Sequence, residues 1–369
     1  MNCHSSLSSS RVFGIPALCA CLLAVGCATT PRELSRPPSD VRNEIVRRMP
    51  AKVEQPGSWA VDIQTAFEAQ EIEPNSENIC SVIAITEQEG GFRADPTVPN
   101  LARIARAEID RRAAAKHVPK FVVDAALKIR SPDGRSYADR IARALSERDL
   151  SGIYEDLIGS VPLGKRLFAN FNPVETGGPM QVSVSFAEAN ARGYPYPITN
   201  SLRDEVFTQR GGMYFGIAHL LGYRTPYTRK VHRFADYNAG WYASRNAAFQ
   251  NAVAIASGRE IALDGDLLKP GARMDQPGET ERAMRALATK IEMDDRAIRQ
   301  ALSRADRIDF DDSNLVERVY AIAERRAGKP LPRALIPGIT LKSPKITRNL
   351  TTAWFATRVD GRYQRCLQR

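Results

Sequence analysis

The stretch from Ile85 to Phe92, ITEQEGGF, sets Glu87 and Glu89 two residues apart and follows them with Gly90 and Gly91. A carboxylic acid kept protonated near neutral pH can hand its proton to a glycosidic oxygen. On a helix, Glu89 follows the face of Val82 and Ile85, whereas Glu87 points elsewhere. A carboxyl at the end of an apolar face is desolvated, which raises its pKa. The two glycines end the helix and leave backbone room for an extended ligand. A solvated glutamate at a frayed helix end is the alternative. Helix C-termini disfavour acids, so the catalytic reading is preferred.

The elements that must position this acid follow from periodicity. SWAVDIQTAFEAQ has helical spacing from Trp59, and NSENICSVIAITEQEGG has Asn75 or Ser76 as cap and the glycines as stop. Residues 99–170 read as amphipathic helices. NFNPVETGGPMQVSVSF is turn-rich, with MQVSVSF as the best strand candidate. RGGMYFGIAHLLGY is an apolar segment, and HRFADYNAGWYASRNAAFQNAVAIASG reads as a loop entering a helix that stops at Gly258. Beyond Asp264 come charged amphipathic helices, one capped near Ser313 and ended by Gly328, another opening at Ser343 and Pro344. The expected class is all-α.

Four pieces now stand in order: Glu89-Gly90-Gly91-Phe92, Gly178-Pro179-Met180-Gln181, Gly216-Ile217-Ala218-His219-Leu220, and Asp236-Tyr237-Asn238-Ala239-Gly240. This resembles the lytic transglycosylases with a goose-lysozyme-like fold. Their signatures are a catalytic Glu followed by Ser-x-Phe, a Gly-Leu-Met-Gln turn, a Gly-x-x-Tyr-Leu helix and an Ala-Tyr-Asn-Ala-Gly loop. It looks specifically like the proteobacterial lipoproteins grouped as a domain of unknown function beside that superfamily. The matches span residues 75–258. The chain departs at Gly90 for Ser, Pro179 for Leu and His219 for Tyr, and residues 93–177 form an insertion.

The resemblance implies cleavage of the MurNAc-GlcNAc bond of peptidoglycan to leave 1,6-anhydro ends, with Glu89 as the acid and then the base. No water is used, so no second carboxylate is needed. It would put Gly178, Met180 and Gln181 at the cleft floor. Gln181 can donate and accept, as an acetamido group requires. Tyr237 offers a hydroxyl near the acid and Asn238 holds its loop. Met180 suits core packing as well as sugar contact, and so do Trp241 and Tyr242. His219 reads as a packed helix residue. Two alternatives stay open: a lysozyme-like domain that binds peptidoglycan without cutting it, and a water-using muramidase with Glu175 as the second acid. Glu175 otherwise reads as a loop carboxylate in water.

The 369 residues carry a net charge of +10, which favours acidic partners. The N-terminal region sets their class. Arg11 precedes an apolar run from Val12 to Val25, the length of a signal-peptide core. The run ends in LAVGC, which resembles a bacterial lipobox, with Cys27 as the lipid-bearing residue. Ala28, where sorting rules for retention would want aspartate, implies the periplasmic face of the outer membrane. The expected partners are glycan strands and, through Cys27, membrane lipid, with no nucleic acid. Cys80 and Cys366 would then be a lone pair in an oxidising compartment, bridged or as two free thiols. His4, His117, His219 and His232 make no ligand cluster, and no metal or cofactor is expected. The plan is a signal peptide over 1–26, a flexible tether over 27–56, a lysozyme-like domain over 57–262 with a helical insertion at 93–177, and a helical extension over 263–369.

Overall fold

The computed structural model describes residues 36–160, 166, 172–342 and 348–369. The signal segment, Cys27, the first part of the tether and the Ser343-Pro344 start lie outside the described residues. The described residues are mainly helical. None of their helices is long and apolar enough to cross a membrane.

Helices α1 (Pro38–Arg48), α2 (Pro56–Ala69) and α3 (Ser76–Glu89) open the chain. The expected tether is thus corrected from residue 36 onward. Pro38 stands at the first helical turn, where its missing N–H costs nothing, and Asp40 suits the positive end of the helix. Val41, Ile45 and Met49 then fall on one face and are buried.

Four helices follow: α4 (Leu101–Ala115), α5 (Lys120–Leu127), α6 (Tyr137–Arg143) and α7 (Glu147–Gly159). All four fall within the segment expected to be helical, and they have a small core of their own around Leu101, Val123, Leu127, Tyr137, Ile141 and Ile153.

A two-residue-per-strand hairpin comes next. Strand β1 (Thr176–Gly177) pairs antiparallel with β2 (Val182–Ser183), Thr176 opposite Ser183 and Gly177 opposite Val182. MQVSVSF is strand only at its start, because Ser183 caps a short helix α8 (Val184–Ala189) by accepting from the Phe186 N–H. Then come α9 (Leu202–Val206), α10 (Gln209–Leu221), α11 (Lys230–Ala239) and α12 (Ala243–Ser257). The expected loop around Asp236-Tyr237-Asn238 is instead the last turn of α11, ended by Gly240 at φ 106°. Val231, Phe234 and Ala235 give that helix its buried face.

Helices α13 (Glu279–Arg285), α14 (Ala288–Ile291), α15 (Asp295–Leu302) and α16 (Asn314–Ala327) pack with α12 around Phe249, Leu287, Ile298, Phe310 and Val319. Ser313 and Gly328 bound α16 as expected. The final helix, α17 (Thr352–Leu367), starts at the Thr351 cap and returns to pack on α3 and α11. Phe355, Val359 and Tyr363 enter the first core, beside Ile79, Val82 and Phe234.

The boundary at 262 therefore does not divide the packing. Residues 279–327 share a core with α12, and the end of the supposed extension completes the core of the Glu89 helix. Cys80 and Cys366 are bonded, with Cα atoms 5.5 Å apart. Beside the bridge, Glu44 accepts from Ser76 Oγ at 2.7 Å and pairs with Arg48 and Arg36, each at 2.6 Å. Arg48 also donates to the backbone oxygens of Cys366 and Leu367. This network ties α1, α3 and α17 together.

Candidate functional site

Helix α3 carries Glu89 in its last turn. Asn75 caps it by accepting from the Asn78 N–H at 2.8 Å. Its apolar face, including Val82 and Ile85, is fully buried. The Gly90 N–H closes the last turn on the Thr86 oxygen at 3.1 Å. Gly91 and Phe92 then both take left-handed φ, 58° and 59°, which swings the chain out of the helix. Phe92 is buried edge-on against Trp59, ring centroids 5.4 Å apart. Glu89 and Glu87 are both half-buried, but they serve different neighbours. Glu87 lies 3.7 Å from Arg362 on α17, while Glu89 lies close enough to Tyr237 for its charge to act on the phenol.

The hairpin tip meets α3 at Gly90. A Cβ there would sit 2.6 Å from the Pro179 oxygen, so the residue after the acid must be glycine in this packing. The other side of the tip presses on α10. A Cβ at Gly212 would strike the Pro179 ring, and one at Gly216 would lie 2.5 Å from Met180 Cβ. Gly178 turns the tip at φ 73°, with the Val206 oxygen filling the place of a side chain. The tip is thus wedged between the end of α3 and a glycine-lined face of α10, and the Gly90 and Pro179 departures belong to one contact.

Tyr237 joins the two parts. Its hydroxyl donates to the Met180 oxygen at 2.6 Å. Burial, and next the Glu89 carboxylate, push its pKa well up, so it stays a neutral donor. Asp236 beside it is wholly buried and accepts from Tyr223 OH (3.1 Å), Tyr227 OH (2.7 Å) and the Ser244 N–H (2.6 Å). Burial raises the Asp236 pKa against those bonds. This group fixes the α11–α12 corner and hence the Tyr237 ring. Residue types alone give Asp236 no role of its own; its signal is an acid set between the apolar Phe234-Ala235 and Tyr237.

The other expected residues divide. Gln181 is half-buried at the tip, at φ 50°, with its side-chain N–H₂ donating to the Gly178 oxygen at 3.3 Å. Met180 is corrected: its side chain is fully buried against α10, and only its backbone oxygen reaches the group. Asn238 is exposed and accepts from Thr352 Oγ1 at 2.9 Å, so it holds the start of α17. Glu175 is mostly exposed, 3.9 Å from Arg112 of the insertion.

His219 packs edge-on to Phe186 with centroids 4.8 Å apart, and its Nε2 is 3.1 Å from the Tyr237 oxygen. Burial lowers its pKa, and its Nδ1 meets no hydrogen-bond partner among the described residues, which suits a neutral ring. Trp241 is half-buried, stacks on Tyr223 at 4.9 Å and donates to the His219 oxygen. Tyr242 is buried beneath Arg245. A separate concavity of about 350 Å³, lined by Gln250, Asp264, Asp266, Lys269, Thr280 and Arg282, contains none of the residues around Glu89.

The model of a family described as "Protein of unknown function (DUF1615)" matches residues 52–369. The chain belongs to that family. It is similar to "Uncharacterized protein YaiW" of Escherichia coli (strain K12), 50% identical over 355 residues, covering 95% of this chain and 97% of the relative. No solved structure matches.

Proposed function

We propose that the chain is a lytic transglycosylase with a lysozyme-like domain, that it cleaves the MurNAc-GlcNAc bond of peptidoglycan, and that Glu89 is its acid and base. The observation that supports this reading is the meeting of Glu89, the hairpin tip at Gly178–Gln181 and Tyr237 from three distant parts of the chain. In this reading Glu89 protonates the leaving oxygen as the glycosidic bond to muramic acid C1 breaks. The resulting carboxylate then takes the proton of the C6 hydroxyl as O6 bonds to C1. One carboxyl group starts and ends protonated, and no water enters.

The exposed, Arg112-paired setting of Glu175 suits this one-acid scheme better than a water-using one. Gln181 and Trp241, both half-buried, are the groups proposed to meet the sugar. Cys27 is proposed as the lipid anchor at the periplasmic face of the outer membrane.

The test is digestion of purified sacculi followed by mass analysis. Anhydro-muropeptides are the expected product. Hydrated reducing ends would replace the reading with a muramidase, and sacculus binding without product would replace it with a binding protein.

A further inference from the structure

Helix α5 is apolar on two opposite faces. Val123 and Leu127 are buried in the core of the insertion. Phe121 and Val122 point the other way, Phe121 being 73% exposed, and Ile129 just past the helix end is exposed as well. Val118, at the α4–α5 corner, extends the same patch. A short helix on a surface needs only one apolar face, and a second one marks an interaction site.

This patch is held rigidly. The α4 C-terminus closes through His117 at φ 58°, with the Val118 N–H on the Ala113 oxygen at 2.9 Å, and Pro119 opens α5. Phe121 therefore stands out from an anchored helix and not from a loose loop.

Charge says what covers it. Lys116, Lys120, Lys128 and Arg130 surround the patch and are all exposed. The one acid within the same stretch, Asp124, is ion-paired to Arg106, which holds its carboxyl below the usual range. The rim is thus basic around an aromatic tip. That pattern fits the interface of a bilayer bearing anionic head groups, where apolar side chains enter the acyl boundary and lysines meet phosphates. A protein groove would need an acidic rim complementary to four fixed cations.

We propose that α5 and the α4–α5 corner are a membrane-contact surface, with Phe121 as the inserting residue and Lys116, Lys120 and Lys128 binding anionic lipid phosphates. This holds independently of the chemistry assigned to Glu89, because it uses none of the same residues.

The experiment places a local reporter, Phe121→Trp, in the full chain, so that any anchoring elsewhere does not confuse the signal. Vesicles contain phosphatidylcholine with about a third phosphatidylglycerol, an anionic fraction that gives a substantial surface potential, and acyl chains brominated near the head group. The expected result is a blue shift and quenching beyond that of the unsubstituted chain. Reversing Lys116, Lys120 and Lys128 to Glu should raise the lipid concentration for half-maximal shift by about a hundredfold or more. An unreversed chain whose reporter neither shifts nor quenches, with unchanged circular dichroism, overturns the proposal. A photo-crosslinker at position 121 gives the second reading in cells. Lipid adducts are expected; a discrete protein adduct or a crosslinked dimer would overturn the membrane assignment and give the patch to a protein.

Discussion

The core that carries Glu89 and the insertion that interrupts it are both helical, yet they are held together differently. The first is closed by residues far apart in the chain: α3 packs on α17, the hairpin tip wedges onto Gly90, and the Cys80–Cys366 bridge spans a separation of 286 residues. The insertion is closed by near neighbours, with the Leu101–Ile153 cluster and ion pairs such as Arg111–Glu108 and Arg135–Asp133. Their carboxylates show the contrast. In the first core burial works against the Glu44 charge, but Ser76, Arg48 and Arg36 outweigh it and hold the pKa at about 2. In the insertion Arg111 and Arg112 hold Glu108 at about 2 as well, but both guanidiniums are exposed, so water and salt screen the pairing. The same shift therefore carries less stability in the second place than in the first.

The largest expected effect tests whether the first core is also the chemical one. Glu89→Gln keeps size and hydrogen bonding but cannot move the proton. Release of anhydro-muropeptides should fall by about 10²–10⁴-fold, with melting temperature and sacculus binding nearly intact; Glu87→Gln should be mild. A near wild-type rate for Glu89→Gln would remove the proposed acid.

Next is the bridge. Cys80→Ser with Cys366→Ser should cost the first core on the order of 2–4 kcal/mol, since a long loop is freed in the unfolded chain. Thermal unfolding with and without reductant reads this, and equal curves would show that packing alone holds α17.

Glu44 gives the comparison a pH axis. Its folded pKa lies below the unfolded value, so its stabilisation is present above about 4.5 and is lost as pH falls towards about 2. The stability difference between the native chain and Glu44→Gln should be on the order of 2–3 kcal/mol at pH 7 and shrink steadily in acid. A difference that does not vary with pH would mean that shape, not charge, matters there.

Gly90→Ser, which would restore the serine of the transglycosylase signature, is expected to destabilise by about 1–3 kcal/mol, because the added atoms meet the Pro179 oxygen. Calorimetry of the purified variant measures it, and a neutral result would show that the hairpin can slide.

The smallest effect belongs to the insertion. Ile153→Val should cost about 0.5–1.5 kcal/mol, and hydrogen exchange should quicken within residues 93–160 only. Faster exchange in α3 would show that the two regions unfold as one.

How much of this was legible in the sequence depended on range. Local signals read well: the Asn75 cap, the Gly90-Gly91 stop and the Ser313 and Gly328 bounds are each written within a few residues. Helix α1 is hard to read although Val41, Ile45 and Met49 recur every four residues, because Pro37, Pro38 and the polar neighbours dominate the composition. The α11 turn around Tyr237 reads as a loop for a similar reason: Asn238 and Gly240 look like turn formers, and only tertiary packing of Phe234 and Ala235 decides for helix. The return of α17 to α3 has no local signature beyond two cysteines whose spacing cannot announce a bond. The burial of Met180 depends on glycines of α10, distant in sequence. For the site, residue types could nominate Glu89 and Tyr237, but only the fold could reveal that Asn238 serves Thr352 and that Glu175 faces Arg112.

The position of α17 also sets an order of events during folding. Where the chain enters its folding compartment N-terminus first, α3 arrives long before residue 352, so the apolar side of α3 that α17 covers waits uncovered. Insertion helices, whose partners lie close by, can assemble in the meantime. The first core closes only when the final 16-residue helix arrives. A chain halted short of that point would carry a finished insertion beside an open core, with Cys80 still unpaired and available to the wrong thiol.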